Sequence, residues 1–161
     1  MILIVMGVTG AGKTTIGKLL ASELSWQFAD ADDFHPASNV EKMRHGVPLD
    51  DEDRKPWLER LRAEITCWLA DNSNVVLACS ALKSAYRQEL DVSPQVRFVY
   101  LKGSPALIAD RLRSRHGHFA DEHILAGQFA DLEEPADAVT VKISATPQQI
   151  VTEIRQRLGL A

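Results

Sequence analysis

Gly7-Val8-Thr9-Gly10-Ala11-Gly12-Lys13-Thr14-Thr15, close to the start of the chain, decides how the rest of it is read. The stretch matches G-x-x-x-x-G-K-S/T, and its flanks supply the context that this pattern needs. Ahead of it, Ile2-Leu3-Ile4-Val5-Met6 is a short, wholly apolar run, as expected of a strand buried on both faces. Behind it, Ile16, Leu19, Leu20 and Leu24 share one helical stripe. Glycines let the backbone close round an anion so that successive N–H groups point inward. The helix start adds unpaired N–H groups and a partial positive charge. Lys13 would bring a full charge to the β- and γ-phosphates, and the Thr14 hydroxyl can ligate Mg²⁺. Strand, glycine loop and helix together predict binding of a nucleoside triphosphate, with residues 7–15 as the phosphate cradle.

Bulk properties narrow the remaining classes. The 161 residues suffice for one domain with its own core, and 45% hydrophobic with 25% charged residues is an ordinary globular balance. A net charge of -4 offers no basic footprint for nucleic acid. Apolar runs are too short to span a bilayer, so no membrane partner is expected. The N-terminal run lacks basic flanks and leads straight into the glycine loop, which reads as a core strand and not a secretory signal. Cys67 and Cys79 lack C-x-x-C spacing. They read as small buried hydrophobes in a reducing compartment, which points to the cytoplasm.

Strands are expected at Trp26–Asp30, Val75–Cys79, Val96–Leu101 and Ala138–Ile143 besides the first. Helices are expected over Pro36–Arg44, from about Arg54 to Ala70 with Pro56 in the first turn, and from Ser80 to about Leu90. Others should run from Pro105 to about Arg115, from Asp121 to Asp131, and from Pro147 to about Leu158, with Ser104 and Thr146 as caps. Trp57, Leu58, Leu61, Ile65, Trp68 and Leu69 form the stripe of the long helix, and Asp50–Asp53 reads as a solvated run ahead of it. Alternating strands and helices predict a parallel sheet covered on both faces, with ligands at the strand carboxyl ends. Residues 7–15, 30–33, 80–83 and 101–103 should therefore surround one cleft.

The same loop serves regulatory GTPases, but neither D-x-x-G nor N-K-x-D occurs anywhere in the chain. A motor-type ATPase would end a buried strand on a carboxylate, whereas this one ends Cys79-Ser80. A second metal support must come from elsewhere, and Asp30 or Asp32 at the neighbouring strand tip is the nearest source. That arrangement suits a kinase of small molecules. Asp30-x-Asp32, His35-Pro36, Asn39, Glu41-Lys42-Met43, Gly46-x-Pro48-Leu49 and Asp53-Arg54-x-Pro56-Trp57-Leu58 then resemble the gluconate kinases. So do Cys79-Ser80-Ala81-Leu82-Lys83, Tyr86-Arg87, Leu101-Lys102-Gly103, Arg111-Leu112, Arg115, Gly117-His118-Phe119, Gln128-Phe129 and Leu132-Glu133-x-Pro135, in the same order. A shikimate kinase would be expected to carry adjacent glycines after the third strand, and the chain has none.

The resemblance implies a three-layer αβα fold of the nucleoside-monophosphate-kinase type, with a five-stranded parallel sheet and a small lid at about 115–131. It also implies ATP-dependent phosphorylation of D-gluconate to 6-phospho-D-gluconate within carbohydrate acid catabolism, and a homodimer. ATP and Mg²⁺ are the expected cofactors. Asp32 is the candidate to take the proton from the C6 hydroxyl, and Asp30 with Thr14 to support the metal. His35, Arg54, Lys83 and Arg87 are candidates for the acid substrate, arginine being the better bidentate carboxylate partner. His118 joins them from the lid motif. Arg111 and Arg115, one helical turn apart, are expected to reach over the nucleotide as the lid closes and excludes water. His116 and His118 lack the further ligands of a zinc site.

Overall fold

The computed structural model describes residues 1–116 and 119–160, apart from the side chains at 115, 116 and 119–123. Its five strands are β1 (Ile2–Met6), β2 (Gln27–Asp30), β3 (Val75–Ala78), β4 (Val96–Lys102) and β5 (Val139–Lys142). All neighbouring pairs are parallel, in the order β2-β3-β1-β4-β5, with Ile4 opposite Leu77 on one side and Phe98 on the other. The helices are α1 (Lys13–Leu24), α2 (Ala37–Arg44), α3 (Asp51–Ala70), α4 (Ser84–Leu90), α5 (Pro105–His116), α6 (Phe119–Asp131) and α7 (Pro147–Leu158). Among the described residues, no helix is long and apolar enough to cross a membrane.

The three layers follow from alternation along the central strand. Leu3 and Val5 of β1 face one core with Ile16 and Leu20 of α1, Ile108 of α5 and Ile150 and Ile154 of α7. Ile2, Ile4 and Met6 face the opposite core with Leu61 and Ile65 of α3 and Leu90 of α4. Each such buried aliphatic side chain contributes about 1.5–3 kcal/mol by leaving water. The expected α/β sheet is therefore present, with its strand carboxyl ends gathered at one edge.

Four local expectations are corrected. The long helix begins at Asp51, not Arg54, because Asp50 and Asp53 form a reciprocal capping box. Pro56 consequently lies beyond the first turn, where its missing N–H leaves the carbonyl of exposed Glu52 to solvent. Cys67 is exposed, since it falls off the buried stripe of α3, whereas Cys79 is buried; both are free thiols.

The helix after β3 starts at Ser84 instead of Ser80. Ala81 stands in the left-handed region at φ 44°, which breaks helical continuity. Arg87 holds this loop in place. Its Nη1 donates to the carbonyls of Ala81 (2.8 Å) and Leu82 (3.0 Å), and its Nη2 to that of Glu133 (2.7 Å). Glu133 returns the tie, its N–H donating to Leu82 at 2.9 Å and its carboxylate accepting from the Ser84 N–H at 3.1 Å. Replacing Arg87 by Met strands the carbonyls of Ala81 and of distant Glu133, while that of Leu82 keeps the Glu133 N–H. We expect a loss of about 3 kcal/mol in urea denaturation, with the denaturant slope unchanged.

Candidate active site

The phosphate loop is built by main-chain conformations that only glycine adopts cheaply. Gly10 and Gly12 have φ of 78° and 96°, and a Cβ on Gly10 would lie 3.0 Å from Leu112. Helix α1 has Gly12 as its cap residue, no side-chain cap and no acid in its first turn, so its leading N–H groups have no local carboxylate to consume them. Lys13 curls back, and its Nζ donates to the Val8 carbonyl at 3.0 Å. Burial draws the Lys13 ammonium below the ordinary lysine value, against an opposing pull from Asp32, Cys79 and Asp30. Burial pushes the neighbouring Cys79 thiol up to about 12, so it is a neutral wall of the cleft.

Asp30 and Asp32 share a cleft of about 330 Å³ with Thr9, Lys13, Thr14 and Gln128. They do not get there by extended-chain alternation. β2 ends at Asp30, residues Ala31–Phe34 form a 3₁₀ turn, and the Asp30 carboxylate caps that turn by accepting from the Asp32 N–H at 3.0 Å. Its other oxygen lies 3.4 Å from the Thr14 hydroxyl. Asp30 is thus both a capping residue and half of an oxygen pair at the phosphate loop. The Asp32 carboxyl is raised above the usual carboxylate range, first by partial desolvation and then by Asp30, with Lys13 acting the other way. Its side chain remains 81% exposed, so the carboxylate sits at the mouth of the cleft and the effect is modest.

On the other side of the loop, a hollow of about 440 Å³ is bordered by Gly10, Gly12, Thr15, Arg111, Ala145 and Pro147. Arg111 is tethered there, Nη2 donating to the Ile143 carbonyl at 2.5 Å. The two hollows meet at Gly10, Gly12 and Thr15, as a triphosphate running between a nucleoside and an acceptor requires. Residues 102–103, expected at the same cleft, instead border a separate hollow of about 570 Å³ beside Lys142 and Glu134. The Arg115 side chain and His118 lie outside the described residues.

His35 packs in a stacked pair with Trp57, ring centroids 4.6 Å apart at 9°. Trp57 itself is core, and its indole N–H donates to the Ala31 carbonyl at 2.7 Å. The buried Asn39 amide nitrogen donates to the Asp53 carbonyl at 2.7 Å, which fixes the amide's orientation. That nitrogen also lies 3.2 Å from His35 Nδ1, which must therefore accept. The proton of neutral His35 is left on Nε2, 3.9 Å from Asp32 Oδ1.

The other expected substrate cations divide. Arg54 and Lys83 both approach Asp51, and Arg54 Nη1 donates to the Tyr86 hydroxyl at 3.1 Å. Arg87 commits its donors to the three carbonyls described above.

A glycine loop between the first strand of a parallel sheet and its helix, opening on an acceptor hollow with its own carboxylates, is the construction of phosphate-loop kinases of small molecules. A family model for shikimate kinase matches residues 9–159. Among curated proteins, the chain is 43% identical to a gluconokinase of Arabidopsis thaliana, over 98% of this chain and 92% of that one. It is 42% identical to the thermosensitive gluconokinase of Escherichia coli K12, over 95% and 84%. The crystal structure of a gluconokinase from Sinorhizobium meliloti 1021 superposes with a TM-score of 0.87 at 37% identity, covering 98% of this chain and 90% of that one. The chain belongs to the gluconokinase family.

Sequence reasoning left Asn39 without a task and missed the contact of Gln128, whose Oε1 accepts from the Thr9 N–H at 2.6 Å. Both residues stand in family-like motifs, but only the folded chain shows what they touch. His35 carries a measurable consequence. Burial, then the nearby Arg54 charge, lowers its pKa to about 4 from an unfolded value of 6.5. Above pH 6.5 both states are neutral and the full contribution to stability is present. As pH falls from 6.5 towards 4 the unfolded chain takes up a proton that the native ring refuses, so stability drops. By pH 5 this group costs about 2 kcal/mol relative to pH 7. Urea midpoints at the two pH values should show that loss in the native chain and a smaller one in His35→Gln.

Proposed function

We propose that this protein transfers the γ-phosphoryl group of ATP to the 6-hydroxyl of D-gluconate, giving 6-phospho-D-gluconate and ADP. The observation that carries the reading is the shared cleft: the phosphate loop and two carboxylates at the tip of β2 meet in one hollow, in a chain similar throughout to gluconokinases. Phosphoryl transfer asks mainly for alignment and charge neutralisation. The amides of residues 7–15 and Lys13 hold the phosphates, and Arg111 borders the nucleoside side. Asp32 accepts the proton as O6 bonds to the γ-phosphorus and the bond to the β–γ bridging oxygen breaks. His35 Nε2–H offers a donor beside Asp32 for an acceptor hydroxyl. Arg54 and Lys83 serve the acid end of the substrate, whereas we assign Arg87 to holding the loop after β3.

Thr14 and Asp30 suit Mg²⁺, which prefers a few hard oxygen ligands together with phosphates and water. When bound, the ion neutralises charge across the β- and γ-phosphates. Among the described residues no cluster of three or more His, Cys, Asp or Glu could hold a metal. Residues 115–131 act as the lid in this reading, with Arg115 reaching the transferred phosphoryl and His118 the substrate; these roles follow from the family motifs. A cytoplasmic homodimer is the working form, the location resting on free-cysteine usage and the dimer on the family.

A coupled ADP-release assay with gluconate, shikimate, adenosine phosphates or no acceptor tests the proposal. Turnover should require gluconate and magnesium. Turnover without acceptor, or with shikimate alone, would reject it. Asp32→Asn should lower kcat by about a thousandfold or more while ATP still binds, as judged by calorimetry.

A further inference from the structure

A second charged cluster lies where α3 meets α4. Lys83 Nζ donates to Asp51 Oδ1 at 2.9 Å, and the Tyr86 hydroxyl donates to the same oxygen. Arg54 Nη1 is 4.0 Å from that oxygen and donates to the Tyr86 hydroxyl at 3.1 Å. Both cations also lie over the Tyr86 ring, Arg54 at 5.7 Å and Lys83 at 5.6 Å from its centroid. Two donors from the start of α4 therefore converge on one oxygen of one carboxylate, with the Arg54 charge of α3 beside it. The cations are largely covered, at 25% and 29% side-chain exposure, whereas Asp51 is 67% exposed. The donors form a floor, and the carboxylate lies on the solvent side of it.

Beyond the favourable charge that any first-turn acid brings to the start of α3, Asp51 makes no contact outside this cluster among the described residues. Asp50 and Asp53 cap α3 between them, and Asp53 also pairs with Lys42 at 2.8 Å. With Asp51 counted, Arg54 and Lys83 still leave the cluster one positive charge in surplus. Such a floor binds a carboxylate of any origin.

We propose that Asp51 is an internal surrogate for the carboxylate of the acid substrate. Arg54, Lys83 and Tyr86 form the receptor for that carboxylate, Asp51 keeps the three donors assembled, and the substrate must displace it to bind. This deepens the gluconate reading and depends on it. Asp51 thereby sets specificity: a neutral polyol has nothing with which to displace an ion-paired carboxylate, so only an acid competes.

The test compares the native enzyme with Asp51→Asn, which removes the competing charge and keeps the side-chain volume. KM for gluconate should fall by at least about fivefold, with the change concentrated in KM instead of kcat. KM for ATP should not follow, and any weak turnover of the neutral six-carbon polyol should not improve in parallel. Lys83→Met and Tyr86→Phe should each raise KM for gluconate about tenfold. Should the Asn variant fail to fold, Asp51→Ser, with a residue also suited to a helix start, gives the same comparison. An unchanged or raised KM for gluconate in a folded Asp51 variant overturns the surrogate alone. An equal gain for the polyol does so too. No turnover of gluconate by the native enzyme overturns both this inference and the reading beneath it.

Discussion

The amides at the start of α1 are the constraint to which the rest of the site answers. Helices α3 and α7 close their first turns with reciprocal side-chain boxes, Asp50 with Asp53 and Thr146 with Gln149. α1 has nothing of the kind, only glycines and a lysine. Unpaired donors at a helix start are costly when buried and cheap when an anion or solvent satisfies them. The fold keeps them at the open edge of the sheet, at the end of a central strand whose every residue is buried. Strand β1 is rigid because it is packed on both faces, and the loop inherits that rigidity.

Around this fixed anion cradle the fold arranges charges of both signs without letting them collapse on one another. Asp30 is drawn off by the N–H of Asp32 and the Thr14 hydroxyl, so it does not close on Lys13 as a buried ion pair. Lys13 leans on the Val8 carbonyl instead. A direct Lys–Asp pair would compete with phosphate for the ammonium, and breaking it would be expensive in a desolvated cleft. Gln128 makes a weaker version of the same contact, a neutral acceptor on the Thr9 N–H that ties α6 to the loop. Neutral partners hold the charged groups in position and release them at small cost.

The parts legible in the sequence were those written in short-range pattern. The apolar runs of β1 and β3, the glycine loop and the Thr146-Pro147 cap each carry their signal within a few residues. The strand tip after β2 extended that legibility to the placement of Asp30 and Asp32 beside the phosphate loop. What escaped is fixed across the chain. Arg87 looks like a free cation until the carbonyl of Glu133, 46 positions away, appears beside it. The tautomer of His35 depends on an amide whose orientation is set by the Asp53 carbonyl, 14 positions on from Asn39. The start of α3 was misread for a local reason: Pro56 resembled a first-turn proline, and the capping box three residues further back made an acidic run look merely solvated.

The first two turns of α3 give this misread stretch its importance. Residues three or four apart on a helix share a face, and neighbouring pairs turn to different faces. Asp51 and Arg54 form one such pair and look towards Lys83 and Tyr86 on the α4 side. The Asp53 carbonyl and the Trp57 ring form another, and between them they orient Asn39 and His35 beside Asp32. One rigid element therefore contributes to both the carboxylate floor and the acceptor end that we propose for the substrate. Its start is fixed twice over, by the capping box and by Lys42 on Asp53. A flexible, open-chain substrate with an acid at one end and a hydroxyl at the other needs such a ruler, because its own bonds do not hold the two ends at a set separation. Fixing the distance in the helix transfers the ordering cost from the encounter to folding, where it is already met.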